Sequence, residues 1–135
     1  MTLTEDNIGD YADMLVLQAR DRGLTLDYSS ESISRLEDLI RLSDDLLRGD
    51  GFPEAQRNLV VFYVGCYLGE TLARNYGGVW HFDPNWFEST LLFNLPDGGL
   101  QLRPFHKAHY RVVVGVKENE LTAYRDGVKA RVQAD

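Results

Sequence analysis

The sequence predicts a single α+β domain, in which helices pack on a small antiparallel sheet of about three strands. Up to residue 76 the apolar residues recur mainly at helical spacing, so the N-terminal half is expected to be rich in helix. After residue 78 the pattern changes to short alternating segments separated by turn residues, which is typical of hairpins. The 135 residues, 44% hydrophobic and 26% charged, suit one hydrophobic core, so residues 1–135 are expected to form one domain.

Two amphipathic helices are predicted in the first 50 residues. The core face of the first helix, which ends at Gly23, is expected to comprise Ile8, Tyr11, Ala12, Leu15, Val16 and Ala19. The second helix opens with the hydroxyl-rich residues 29–32, which can accept the free N–H groups of a first turn. It is expected to continue to the glycines at 49 and 51, with a core face of Ile33, Leu36, Leu39, Ile40, Leu46 and Leu47.

A third helix, at about residues 53–76, is expected to be the centre of the domain. Residues 59–68 are apolar on all sides of the helix, which implies packing neighbours on all sides. Gly65 and Gly69 share one face, and each glycine within a helix costs about 1 kcal/mol relative to alanine, so we expect a neighbour packed closely on that face. The single cysteine, Cys66, can form no internal disulfide and is expected to be buried.

Three strands are predicted next, at residues 79–82, 88–95 and 100–103, as an antiparallel meander covered by the third helix. Residues 83–85 and 96–99 supply the turns. Beyond Pro104 the pattern leaves two alternatives. The valines at 112–114 favour a strand, whereas Pro104 at a first helical position, with Phe105, Ala108 and Val112 at helical spacing, favours a helix. We predict the helix, followed by a last helix at residues 118–132.

The charge is distributed unevenly along the chain. The net charge is −7, and residues 1–50, with 12 acidic and 5 basic side chains, account for all of it. Such a surface disfavours nucleic acids and anionic membranes, whose phosphates it repels, and it favours a basic protein partner. The acidic start of the chain is unlike a signal peptide, and the longest apolar run is about half of the ~20 residues that a membrane span needs. We therefore expect a cytoplasmic protein.

Three segments carry a resemblance to known sequences. They are residues 26–29, residues 65–70 followed by Arg74 and residues 77–80, and residues 103–107. With its central Gly-Cys-Tyr-Leu-Gly-Glu segment, the chain resembles a family of small uncharacterised bacterial proteins. The resemblance implies a helix-rich α+β fold and a helix after Pro104, and it implies no activity.

Glu70 and Arg74 are the most prominent candidates for a site. They lie four residues apart at the end of the third helix, a spacing that also suits an ordinary surface ion pair. With His81 they could instead line a polar pocket near the Gly77–Gly78 turn. That arrangement would make the protein a small-molecule-binding protein or an enzyme, which is the alternative hypothesis.

The remaining chemistry-bearing residues predict no catalytic set, no metal site and no cofactor. His106 and His109 share a helix face, but zinc needs three or four ligands. No serine lies in a nucleophile-elbow motif, and no phosphate-binding loop is present. The aromatic residues Trp80, Phe82, Trp86 and Phe87 are expected to be core, although an exposed Trp86 would suit a partner's pocket.

The preferred hypothesis is therefore a non-catalytic protein that binds a basic protein, in the manner of an antitoxin-like or immunity-type partner. The carboxylates expected on exposed faces of the first two helices are Asp10, Asp13, Glu37, Asp38, Asp44 and Asp45. A homodimer formed through the exposed side of the sheet is a further possibility.

Overall fold

A computed structural model describes residues 2–133 and gives six α-helices and a three-stranded sheet in that range. The N-terminal half contains α1 (Ile8–Asp21), α2 (Ser32–Arg41), α3 (Asp44–Arg48) and α4 (Glu54–Tyr76). The sheet contains β1 (Val79–His81), β2 (Thr90–Leu95) and β3 (Gly98–Leu102), and the chain ends with α5 (Pro104–His109) and α6 (Leu121–Val132). A 3₁₀ turn at Trp86–Glu88 precedes β2, and a π-helical turn at Tyr110–Val114 extends α5. The predicted α+β class is confirmed.

The central helix α4 is held between α1 on one side and α5 on the other. Its glycines permit this close approach. A Cβ added to Gly65 would overlap the ring of Phe105, and one added to Gly69 would overlap the ring of Trp80. The predicted packing on the glycine face is confirmed, and Cys66 is fully buried, as expected.

The sheet is the predicted antiparallel meander, in the order β1-β2-β3. Trp80 pairs with Leu91, which pairs with Leu102, and all three side chains are buried. The neighbouring row of Val79, Leu92 and Gln101 projects from the opposite face, because side chains alternate along a strand.

The prediction of one long second helix is wrong. Helix α2 ends at Arg41, a turn follows, and the separate helix α3 begins at Asp44. The break redirects the chain so that the Asp44 carboxylate accepts hydrogen bonds from Arg111. As a result Leu47 is buried, whereas Leu46, predicted on the core face, is 64% exposed.

The segment after Pro104 is helical, as predicted, in spite of its three valines. Its last turn widens into a π-helix that ends at Gly115, where φ is 127°. Arg111 and Val112 in this turn are fully buried. Among residues 2–133, none of the helices combines the length and the apolar character that a bilayer crossing requires.

Candidate binding surface

An apolar groove opens between α1, α2, α3 and α4. Its walls are formed by the aliphatic side chains of Leu15, Leu36, Leu39, Ile40, Val60 and Val64, and Leu46, Leu47 and Phe52 lie towards α3. Gln18, Arg22 and Ser43 supply its polar groups. The cavity of about 230 Å³ exceeds the ~150 Å³ cavities that admit benzene in other proteins, so it has room for large apolar side chains.

Three exposed apolar side chains lie in or near this groove. Leu46 forms part of its wall, and Leu42, which follows the wall residue Leu39 by one helical turn, is 65% exposed. On α1, Met14 precedes the lining residue Gln18 by one turn and is 44% exposed. Large aliphatic side chains are therefore exposed to water in the wall of the groove and one helical turn away from it.

Helix α1 also carries an exposed stripe in which two acidic residues flank two apolar residues. It comprises Asp10, Met14, Leu17 and Asp21, at the helical spacing i, i+4, i+7 and i+11. The two carboxylates are exposed and form no ion pair within residues 2–133. The stripe is able to contact a partner that presents both apolar and basic groups.

The structure divides the six predicted acidic contributors into two groups. Asp10, Asp13, Asp38 and Asp45 are exposed, and the Asp13 carboxylate accepts a 2.5 Å hydrogen bond from the Tyr28 hydroxyl. The exposed position predicted for Glu37 and Asp44 is wrong. Glu37 is 3% exposed, and both carboxylates are bound to Arg111.

Arg111 is the centre of a buried ionic network. Its guanidinium is inaccessible to solvent and donates hydrogen bonds to Glu37 at 2.6, 2.9 and 3.1 Å and to Asp44 at 2.8 and 3.1 Å. The backbone N–H of Leu121, the first residue of α6, donates to the same Glu37 carboxylate at 3.0 Å. The network therefore joins α2, α3, the π-helical turn and α6.

The pKa values of both carboxyl groups are lowered in this network. Burial alone would raise the pKa of Glu37, but the hydrogen bonds from Arg111 and Leu121 and the charges of Arg111 and Arg41 outweigh it. The hydrogen bond from Arg111 is the main cause of the lowered pKa of Asp44. Since all of these groups are satisfied within the protein, the network stabilises the fold and offers no free group to a ligand.

Glu70 and Arg74 form the predicted ion pair, with 3.0 Å between their closest atoms. The other Glu70 oxygen accepts a hydrogen bond from the Trp80 indole N–H at 3.1 Å. The Arg74 guanidinium lies 3.8 Å from the centre of the Tyr28 ring, a cation–π geometry. Each polar group of this pair is thus held by a neighbour in the chain.

The predicted convergence of His81 on this pair is wrong. Trp80 points inward to α4, so the next side chain on β1, His81, projects from the opposite face of the strand. The shallow depression at Glu70 and Arg74 is lined by Trp80, whereas His81 lines a different depression on the outer face of the sheet. That outer face, with Val79, Leu92 and Gln101, is the one on which a homodimer would form.

Tyr28 has a strained backbone, with a φ of 63° that non-glycine residues seldom adopt. Its N–H donates to the Tyr67 hydroxyl at 2.9 Å, and its carbonyl accepts from the Asn75 amide at 2.7 Å. These bonds attach the loop before α2 to the C-terminal half of α4. They account for the strain without a ligand.

Trp86 is half-buried rather than exposed. It packs edge-on against Phe62 and Phe105, with ring centres 5.0 and 5.1 Å apart. Trp80 is buried and stacks with Phe82. The prediction that the aromatic cluster belongs to the core is therefore confirmed for Trp80, whereas Trp86 is partly buried and packs against the core.

The two histidines of α5 interact with the 3₁₀ turn. His106 stacks on Phe87 with 4.3 Å between ring centres and lies 3.2 Å from a Glu88 oxygen, and His109 meets the edge of Phe87. Within residues 2–133, no three histidine, cysteine or acidic side chains are grouped so that they could hold a metal ion. Burial raises the pKa of the Cys66 thiol, which leaves little nucleophilic thiolate.

The groove and the Arg111 network were missed by sequence reasoning. One signal for the network was present in the pattern, because Glu37 follows the core residue Ile33 by four positions and so lies on the buried face of α2. Arg111 is likewise the only charged residue of the segment 110–116. The groove had no such signal, since it arises from the spacing between separate helices.

Comparisons with known proteins give no relative. No protein-family model matches the chain, and no curated protein or solved structure matches it. The resemblance to a family of small uncharacterised bacterial proteins therefore stays a prediction. What the chain binds has to be inferred from its own geometry.

Proposed function

We propose that this protein is non-catalytic and binds a basic protein partner through the surface of α1, α2 and α3. The observation that carries the proposal is the open apolar groove, which has the exposed Leu46 in its wall and the exposed Met14 and Leu42 one helical turn from lining residues. Clustered apolar side chains edged by polar groups are characteristic of protein-binding surfaces. An antitoxin-like or immunity-type protein, which covers a basic partner, would need such a surface.

The charge of the same surface supports a basic partner. Asp10 and Asp21 flank the apolar residues of the α1 stripe, and Asp45 lies next to Leu46. Complementary charge increases the association rate, and its effect declines with salt because the Debye length is only ~8 Å at physiological ionic strength.

Small-molecule binding or catalysis at Glu70 has less support. Both Glu70 oxygens accept hydrogen bonds, one from Trp80 and one from Arg74, and His81 lies on another face. A ligand there would have to displace an existing ion pair.

The proposal is tested by capture from an extract of the native host. The immobilised protein is compared with an Asp10→Asn/Asp45→Asn variant and with a matched Asp97→Asn/Glu118→Gln variant, which changes the net charge equally but outside α1–α3. The proposal is supported if wild type and the matched variant retain a basic protein and the Asp10→Asn/Asp45→Asn variant captures the same protein more slowly. Capture that is equally salt-sensitive in all three proteins, or that is abolished only by Glu70→Gln, contradicts it.

A further inference from the structure

Building on the proposed function, we infer that the groove binds one amphipathic, basic helix of the partner, whose aliphatic face enters between α1 and α2. If the partner binds elsewhere on the acidic surface, this inference fails while the proposed function stands.

The walls of the groove select a helix over an extended segment. They are built from α1, α2, α3 and α4, whose backbone groups are already hydrogen-bonded within each helix. A segment buried there would find no strand edge to pair with, so it has to satisfy its own backbone hydrogen bonds, as a helix does.

The size of the groove agrees with a short helical contact. Its α1 lining runs from Leu15 to Arg22, a rise of about 10 Å along the helix axis, which is two turns of a partner helix. Two turns present apolar side chains at i, i+3 or i+4, and i+7. The cavity of about 230 Å³ has room for the central ones, and Leu42 and Leu46 can contact the others at the rim.

Charge selects the identity of that helix. Asp21 and Asp45 adjoin the lining residues Arg22 and Leu46, and residues 1–50 carry an acidic excess around the lining cation Arg22, so lysine or arginine flanking the partner's apolar face would be favoured. A second copy of this chain carries the same net charge of −7 and would bring like charges together. Anionic lipid is repelled for the same reason.

The test uses a synthetic Leu/Lys peptide of about 18 residues, with leucine at i, i+4, i+7 and i+11 and lysine between. Binding is followed by fluorescence anisotropy at about 50 and 300 mM salt, and the site is mapped by amide chemical shifts of the labelled protein. Two control peptides are used: one of the same composition with scrambled leucines, and one with glutamate in place of lysine. We expect the Leu/Lys peptide to bind and to shift the amides around Gln18, Leu39 and Leu46, and both controls to bind at least roughly tenfold more weakly.

A pair of variants locates the contact. Leu42→Asn/Leu46→Asn removes exposed apolar groups at the groove, and Val79→Asn/Val114→Asn removes groups that are 56% and 60% exposed elsewhere. Neither pair removes a buried side chain, so both variants should fold. The groove variant should bind the peptide roughly tenfold more weakly or worse, and the matched variant should bind as wild type does. The inference would be overturned if the Leu/Lys peptide did not bind or if the scrambled peptide bound equally well. It would also be overturned by amide shifts confined to the sheet, or by equal losses of affinity in the two variants.

Discussion

Replacing Arg111 with methionine is expected to lower the free energy of unfolding by about 3–5 kcal/mol. The guanidinium is fully buried and donates five hydrogen bonds to Glu37 and Asp44 at 2.6–3.1 Å. Methionine fills much of the same volume but leaves two carboxylates without their cation in a region shielded from water. The free energy of unfolding of a small domain is about 5–15 kcal/mol, so the loss would be a large part of the total.

The assay is urea unfolding at neutral pH, followed by circular dichroism. Arg131→Met is the matched control, because Arg131 is exposed and its 3.5 Å contact with Asp97 is worth less than about 1 kcal/mol. A triple variant with Glu37→Leu, Asp44→Leu and Arg111→Met should recover part of the loss, since it leaves no unpaired charge. An Arg111→Met protein within about 1 kcal/mol of wild type would refute the assignment of Arg111 as the central group of a structural network.

The same network predicts how stability depends on pH. The pKa values of Glu37 and Asp44 are lowered on folding from their ordinary values of 4.5 and 3.8. Groups with lowered pKa values release protons on folding, so their contribution is complete above those ordinary values. It declines as the pH falls towards the lowered folded-state values. Unfolding at a series of pH values from neutral to strongly acidic should show this decline in the free energy of unfolding. The decline should be smaller in the triple variant, which lacks both carboxylates. An equal decline in wild type and the triple variant would contradict the assignment.

Three further predictions concern the packing of two glycines, the burial of Cys66 and the metal content of the protein. Gly65→Ala should destabilise the fold by roughly 1–3 kcal/mol, because the added Cβ would overlap the Phe105 ring. Gly127→Ala, in the open middle of α6, should stabilise the fold by about 0.5–1 kcal/mol. Denaturant midpoints that move in the same direction in the two variants would contradict this. A disulfide reagent should label Cys66 slowly in the native state and rapidly in denaturant, since the thiol is buried, and fast native labelling would show that the site opens. Metal analysis of protein purified without a histidine tag should find less than one equivalent of zinc, nickel or iron, and a tightly held equivalent lost in His106→Ala/His109→Ala would overturn the absence of a metal site.

Much of the fold could be predicted because its signals are local. Helical spacing located α1 and α4, turn residues located the hairpins, and the glycine face of α4 correctly indicated a close neighbour. The break between α2 and α3 could not be found in this way. Leu46 and Leu47 fit the helical pattern, and the contact that accompanies the break joins Asp44 to a guanidinium 67 residues away in the sequence.

The candidate site was harder to predict because it depends on distances between elements. The groove is an unfilled space among four helices, which no periodicity within one helix reveals. The error over His81 has a different origin. Trp80 and His81 are adjacent on a strand, so only one of them can face Glu70, and a stricter use of strand alternation would have excluded the convergence.

The acidic excess of residues 1–50 contains two groups of carboxylates, one bound to Arg111 and one exposed, and only the exposed group is available to a partner. Glu37 and Asp44 belong to the acidic excess of residues 1–50, but they neutralise Arg111, which lies in the electrically balanced remainder of the chain. These two carboxylates are therefore required by the fold and are hidden from any partner. Asp10, Asp21 and Asp45, in contrast, are exposed without an ion pair among residues 2–133, beside apolar groups that folding has left in water. Because solvated carboxylates add little to stability, the fold alone does not require this combination, and the proposed basic, amphipathic partner would account for it.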